Sequence, residues 1–292
     1  ITAAAIVGSH ADANGIAGGA LAVGASISKA TASPDVKAGL GSPTTQSALL
    51  PTSGSVTINA VNLTISSSTA ALPSLGYSAK AYSHGSSGGL IGVVATDSDA
   101  INNSHVRSYV GNNSTLTITG STTVNATNNT KQKAESNANV GGIIAAGIVD
   151  AKVSSNTITE AYLGNSVSLT GAYLTIAAVG VDDNFSKAVA GSGGVLAGAA
   201  ALGETANTSS TIASIGASSN VNLTLASTNI GQLYVSADHT AKFNNNAETV
   251  AGGLLSGAGV DIVNTVNSTV DTKVGNSAII KAKKIGLYAT NH

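Results

Sequence analysis

A Gly-Gly pair followed by two small or aliphatic residues occurs five times in this 292-residue chain. The copies are Gly18-Gly19-Ala20-Leu21, Gly88-Gly89-Leu90-Ile91, Gly141-Gly142-Ile143-Ile144, Gly193-Gly194-Val195-Leu196 and Gly252-Gly253-Leu254-Leu255. An aliphatic-Gly step follows each pair, at Leu40-Gly41, Val110-Gly111, Leu163-Gly164, Ile215-Gly216 and Val274-Gly275. From pair to step the intervals are 41−18, 111−88, 164−141, 216−193 and 275−252, and every difference is 23. An interval held to the residue in five copies means one structural unit repeated five times.

A third mark, aliphatic-x-Ala, stands at Val124-Asn125-Ala126, Ile176-Ala177-Ala178 and Val235-Ser236-Ala237, and Leu287-Tyr288-Ala289 repeats it near the end. Its distance to the next pair is 141−124, 193−176 and 252−235, always 17. In the first unit the mark is read at Ile65-Ser66-Ser67, 23 before Gly88. The periods are 88−18 = 70, 141−88 = 53, 193−141 = 52 and 252−193 = 59. Length therefore varies only outside the fixed block. Pro43, Pro51 and Pro73 fall in the extra stretches of the first unit. Proline cannot donate to a ladder, so about 42–55 and 66–87 are expected to be loops thrown out of the array.

Between marks the sequence alternates at period two, as in Val56-Thr57-Ile58, Leu116-Thr117-Ile118, Val167-Ser168-Leu169 and Val221-Asn222-Leu223. That is the pattern of half-buried strands, with Asn, Ser, Gly and Asp clusters as turns. The expected fold is all-β: a right-handed parallel β-helix (solenoid) of about five repeats of roughly 52–70 residues. Each repeat is expected to hold about two to three rungs stacked at about 4.8 Å. Residues 1–292 are expected to form a single continuous solenoid segment of a longer chain. The pair glycines 18, 88, 141, 193 and 252, and the step glycines 41, 111, 164, 216 and 275, are expected to stack as corners.

Composition narrows the function. Charged residues are 9% of the chain, the net charge is −1, and the cations are twelve Lys and the single Arg107. Phosphate neutralisation needs a basic block, so no nucleic-acid partner is expected. The absence of Cys removes disulfides and thiolate metal sites. Residues 188–203 are the most apolar stretch but too short and glycine-rich to span a bilayer, so no membrane span is expected and Leu196 is read as core.

The order of small-residue Gly-Gly segment, Asn-[Ser/Thr], aliphatic-Gly and alternating strands resembles the repeats of large bacterial filamentous adhesins. These are the filamentous-haemagglutinin-like and leukotoxin-type proteins secreted by the two-partner route. The best-matching stretch is 154–165 (SSNTITEAYLGN), echoed by Val263 to Thr269 and Val274-Gly275-Asn276. The resemblance implies a secreted, surface-displayed structural or adhesive shaft. A polysaccharide-binding or polysaccharide-cleaving β-helix is the alternative.

Candidate chemistry is sparse. Asp97, Asp150 and Asp261 each lie nine residues past their pair, where the other units have Ile27 and Leu202. Polysaccharide-cleaving β-helices use stacked acidic residues with a basic partner in one groove, for calcium binding or acid-base work, and Arg107 is a candidate for such a partner. Asp also closes turns through its own backbone, and that reading is adopted here. His10, His84, His105, His239 and His292 show no ligand spacing and are read as surface or loop residues. No metal or other cofactor and no catalytic residue is expected. Tyr77, Tyr82 and His84, in the 66–87 stretch, form a possible ligand loop toward a host or matrix glycan or protein. An open sheet end also favours self-association.

Overall fold

The structure, a computed structural model, describes residues 1–44, 48–52, 54–64, 76–225 and 231–292. Among them there is no helix, and every ladder is parallel. The first layer contains β1 (Thr2–Ile6), β2 (Ser9–Gly18), β3 (Leu21–Ala32), β4 (Asp35–Leu40) and β5 (Leu49–Thr52). The second contains β6 (Val56–Leu63), β7 (Ala79–Asn102), β8 (His105–Val110) and β9 (Thr115–Ile118). The third contains β10 (Ser121–Ser155), β11 (Ile158–Leu163) and β12 (Ser168–Thr170). The fourth is β13 (Tyr173–Gly193), β14 (Leu196–Asn207), β15 (Ser210–Ile215) and β16 (Asn220–Asn222). The fifth is β17 (Gln232–Gly252), β18 (Leu255–Val266), β19 (Thr269–Val274) and β20 (Ile279–Lys281); β21 (Lys284–Asn291) begins another.

Each layer lays strands into the same three sheets in the same order. The large sheet takes β1–β3, β6, β7, β10, β13, β14, β17, β18 and β21. A second takes β4, β8, β11, β15 and β19, and a third β5, β9, β12, β16 and β20. Ladder partners lie a whole repeat apart: Ser121 pairs with Tyr173 (173−121 = 52) and Ser9 with Ala79 (79−9 = 70). This corrects the expectation of two to three rungs per repeat. Rungs within a repeat would pair residues far fewer positions apart. The several short strands of one repeat are instead the sides of a single wide layer.

The pair glycines form one column, Gly18 on Gly88, Gly141, Gly193 and Gly252. The second glycine of the pair is the sterically constrained one. A Cβ on Gly89, Gly142, Gly194 or Gly253 would collide with a carbonyl oxygen of the preceding layer's pair, whereas a Cβ on the first glycine meets nothing within 4 Å. Backbones thus approach closely at this corner, which only glycine permits.

The other glycine mark opens a stacked turn. Two residues past Gly111, Gly164, Gly216 and Gly275 stand Asn113, Ser166, Ser218 and Ser277, with φ of 56, 56, 56 and 59°. These are left-handed positions that small polar residues tolerate. Asn side chains tie the turns together: Asn165 N–H donates to Asn112 Oδ1, and Ala217 N–H to Asn165 Oδ1. The first layer has Pro43 at this position, whose ring fixes φ negative.

Two expected loops are corrected in part. Within 42–55, Leu49–Thr52 is β5 and pairs in register with Thr115–Ile118. Thr115 N–H donates to Ala48 O, and every second residue bonds the same neighbour, so Pro51's nitrogen faces away from β9. Among the described residues β5 pairs on that one side alone, so the missing N–H of Pro51 removes no ladder bond there. Within 66–87, residues 79–87 belong to β7. Residues 45–47, 53 and 65–75 lie outside the described residues, and so does the mark read at Ile65-Ser66-Ser67. The structure sets Ile58-Asn59-Ala60 opposite Val124-Asn125-Ala126 instead.

The interior has two apolar parts. Beside the two smaller sheets it is built from large aliphatics, including Leu116, Ile118, Leu163, Leu169, Ile176, Ile215 and Leu233. Toward the glycine corner, where the arms of the large sheet converge, it is mostly Ala, with Val94, Val149 and Val153. Leu196 is not core, as expected from sequence, but 41% exposed on the outer face.

Candidate functional site

Of Tyr77, Tyr82 and His84, the expected ligand loop, two lie on a strand. Tyr82 and His84 lie on β7, opposite Asp12 and Asn14 on one side and Glu135 and Asn137 on the other. Tyr77 precedes that strand, and its ring centre lies 5.3, 5.7 and 6.0 Å from the ammonium groups of Lys131, Lys133 and Lys80. Lys133 also sits 4.9 Å from the Phe185 ring centre. Ion pairs hold two of these lysines: Lys131–Asp183 at 3.2 Å and Lys133–Glu135 at 3.0 Å. The cluster arises because register stacks Lys80, Lys133 and Phe185 in one column of the large sheet. Sequence reading missed the lysines and Phe185, whose only signal is that offset of one repeat. Aromatic rims beside ammonium groups can hold a sugar ring bearing an anionic substituent.

The recurring aspartates stack as their spacing requires: Asp97 on Asp150, then Leu202, then Asp261, with Ile27 before them. They are not turn residues. Asp97 and Asp150 lie inside β7 and β10, facing outward. Burial, then the neighbouring Asp99 and Asp150, pushes the Asp97 carboxyl above the usual range. Lys152 binds Asp150 at 2.6 Å. Arg107 is not their partner. It lies on β8 and binds Asp35, at 3.0 and 3.3 Å. Like charges directly opposite on adjacent strands repel. Asp97→Asn should therefore raise stability by about 0.2–1 kcal/mol at neutral pH, read as a higher urea midpoint.

A third cluster lies inside. Asp182 is fully buried. Its Oδ1 accepts from Thr130 at 2.6 Å, and its Oδ2 from Ser209 at 2.5 Å and Asn207 at 2.8 Å. Thr157 donates to both oxygens at 3.2–3.3 Å. His239, also fully buried, brings Nε2 to 3.5 Å from Asp182 Oδ2, and its Nδ1 lies 3.1 Å from Thr211 Oγ1. This corrects the reading of His239 as a surface or loop residue. Its ring leans into the space above Gly180, where a Cβ would crowd Nδ1. Burial lowers the His239 pKa below 6.5 despite the opposing pull of Asp182 and Asp238. That direction follows because four donors already satisfy the carboxylate, while His239 Nε2 has no hydrogen-bond partner. The cluster fastens the third, fourth and fifth layers together. Elsewhere His105 Nε2 lies 2.9 Å from Glu160 Oε2 on the adjacent strand.

Among the described residues no group of three or more His, Cys, Asp or Glu is placed to hold a metal ion. Among them, too, no helix is long and apolar enough to cross a membrane. Comparison with known proteins gives no match, whether to a family model, a curated protein or a solved structure.

Proposed function

We propose that the chain is a right-handed parallel β-solenoid serving as the structural, adhesive shaft of a secreted filamentous protein on a bacterial surface. The observation that carries this reading is the unbroken register from layer to layer, with each repeat laid on the last in all three sheets. In such an array stability is a sum of unit and neighbour terms, so length can grow without a new core. The role is mechanical rather than catalytic: Asp182 and His239 are sealed from solvent, and Asp150 is held by Lys152. The resemblance to filamentous-haemagglutinin-like repeats supplies the cellular setting.

The test is growth by one unit. A second copy of residues 121–172 inserted after Ala172 should lengthen the particle by about 4.8 Å with no change of cross-section, measured by small-angle X-ray scattering. A widened cross-section, or cleavage of a polysaccharide by the purified chain, overturns the reading.

A second reading is favoured by the cluster of Tyr77, Lys80, Lys131, Lys133 and Phe185, which suits an acidic polysaccharide. Lys80→Glu with Lys133→Glu should abolish retention on an acidic-glycan column and leave the circular dichroism unchanged. Equal retention of the variant removes this reading.

A further inference from the structure

Past the glycine corner, the first three outward columns of the large sheet are apolar in every layer. Its first column is Leu21, Ile91, Ile144, Leu196 and Leu255, in ladder register and 67, 39, 41, 41 and 69% exposed. The next two columns are low in relief. One runs Val23, Val93, Ala146, Gly198, Gly257, and the other Ala25, Ala95, Ile148, Ala200, Gly259. Ile148 stands beside a shallow depression floored by Ala200 and Gly259. A fourth column holds Ile27, Asp97, Asp150, Leu202 and Asp261.

Five layers at about 4.8 Å and three apolar columns at about 6.7 Å make an apolar face of roughly 500 Å², bordered by the fourth, largely acidic column. Contiguous apolar patches of that size mark interaction surfaces. Two such faces together bury about 1,000 Å², the size of a weak, reversible protein–protein contact.

We propose that this face pairs with the same face of a second copy, about a two-fold axis parallel to the stacking direction. Charge selects that axis. One edge of the face is acidic, carrying Asp97, Asp99, Asp150, Glu204 and Asp261 against only Lys29 and Lys152. The opposite edge is the uncharged glycine corner. An axis along the stack lays the Asp97, Asp150 and Asp261 column over the other copy's uncharged first column, and Asp99 and Glu204 over its glycine corner, whereas an axis along the strands sets acid on acid. The chosen axis also sets each layer against its own counterpart, so Ile148 of one copy meets the small Ala146 of the other. The two stacks then run side by side in the same direction. The contact is isologous and closes at two copies. It needs no adhesive role and is independent of the shaft reading.

Sedimentation velocity of the full chain over a concentration series should show a monomer–dimer equilibrium. Ala146→Glu with Ala200→Glu, both facing outward, should abolish the dimer and leave the urea midpoint unchanged. Orientation is read by cross-linking, because the chain has no cysteine of its own. Ala25→Cys alone and Gly259→Cys alone should each give dimers with a short bis-maleimide, since first layer meets first and fifth meets fifth. The proposal is overturned by a chain that stays monomeric at every concentration, or by a dimer that survives both Glu substitutions. Cross-links that form only when the two Cys chains are mixed overturn it too. So does a monomer that floats with phosphatidylcholine vesicles, which would make a lipid surface the occupant.

Discussion

Gly194→Val should destabilise the protein by about 3 kcal/mol, while Gly193→Ala, one residue earlier, should change stability by less than about 0.5 kcal/mol. The two glycines are neighbours in sequence and alike in every repeat. Only the second faces a backbone, the Gly142 carbonyl of the layer before, which cannot swing aside as a flexible side chain would. A β-branched residue there must push two layers apart along the corner. Urea unfolding reads the difference: at slopes of about 1–3 kcal/mol per molar, the Gly194 variant shifts its midpoint by about 1 M or more. Equal midpoints for the two variants would show that the corner opens at no cost.

Asp182→Ala should cost at least about 3 kcal/mol, since each buried donor left without an acceptor costs about 1–3 kcal/mol. Four donors, from Thr130, Thr157, Asn207 and Ser209, would be left inside the core without their acceptor. His239 adds a pH dependence. Its proton is held less tightly in the folded chain than in the unfolded one, so the unfolded chain takes up more protons as pH falls below about 6.5. Its contribution to stability is full above that pH and is lost progressively below it. His239→Gln should flatten the urea midpoint between pH 6.5 and 5 relative to the parent chain. An unchanged slope would mean that the imidazole takes its proton inside the core, paired with Asp182.

The glycine column and the parallel all-β architecture were legible because each depends on spacing alone. The number of layers per repeat was not. Period-two alternation identifies a strand but not the neighbour it bonds. The first-layer and second-layer copies of the aliphatic-x-Ala mark were available in principle: Ile1-Thr2-Ala3 lies 18−1 = 17 before its pair. Ile58-Asn59-Ala60 lies 88−58 = 30 before its own, displaced by the insertion that follows β6, and Ile65 offers a rival aliphatic position nearer the pair. Leu196 was misplaced because the corner shifts the alternation. Inward residues are Ala138 and Val140 before it but Ala145 and Val149 after it. Of the aromatic and basic cluster, the sequence yielded Tyr77 without the lysines and Phe185 that register sets beside it. His239 was hidden for a related reason. Its pocket is made by the missing side chain of Gly180, 59 residues earlier (239−180).

Ladder partners 52 to 70 residues apart also govern how such a chain acquires its structure. No strand finds a partner within its own repeat, so a single emerging repeat has nothing to pair with. The first ladder closes a loop of at least 52 residues, at the entropy cost that makes non-local β-structure slow to form. Once two layers have met, each later repeat finds a finished template with every hydrogen-bonding group already in place. The slow event is therefore the founding one, and growth from it adds one repeat at a time at either open end. A chain threaded through a narrow pore stays extended until its second repeat is out, and each further repeat that docks then hinders its sliding back.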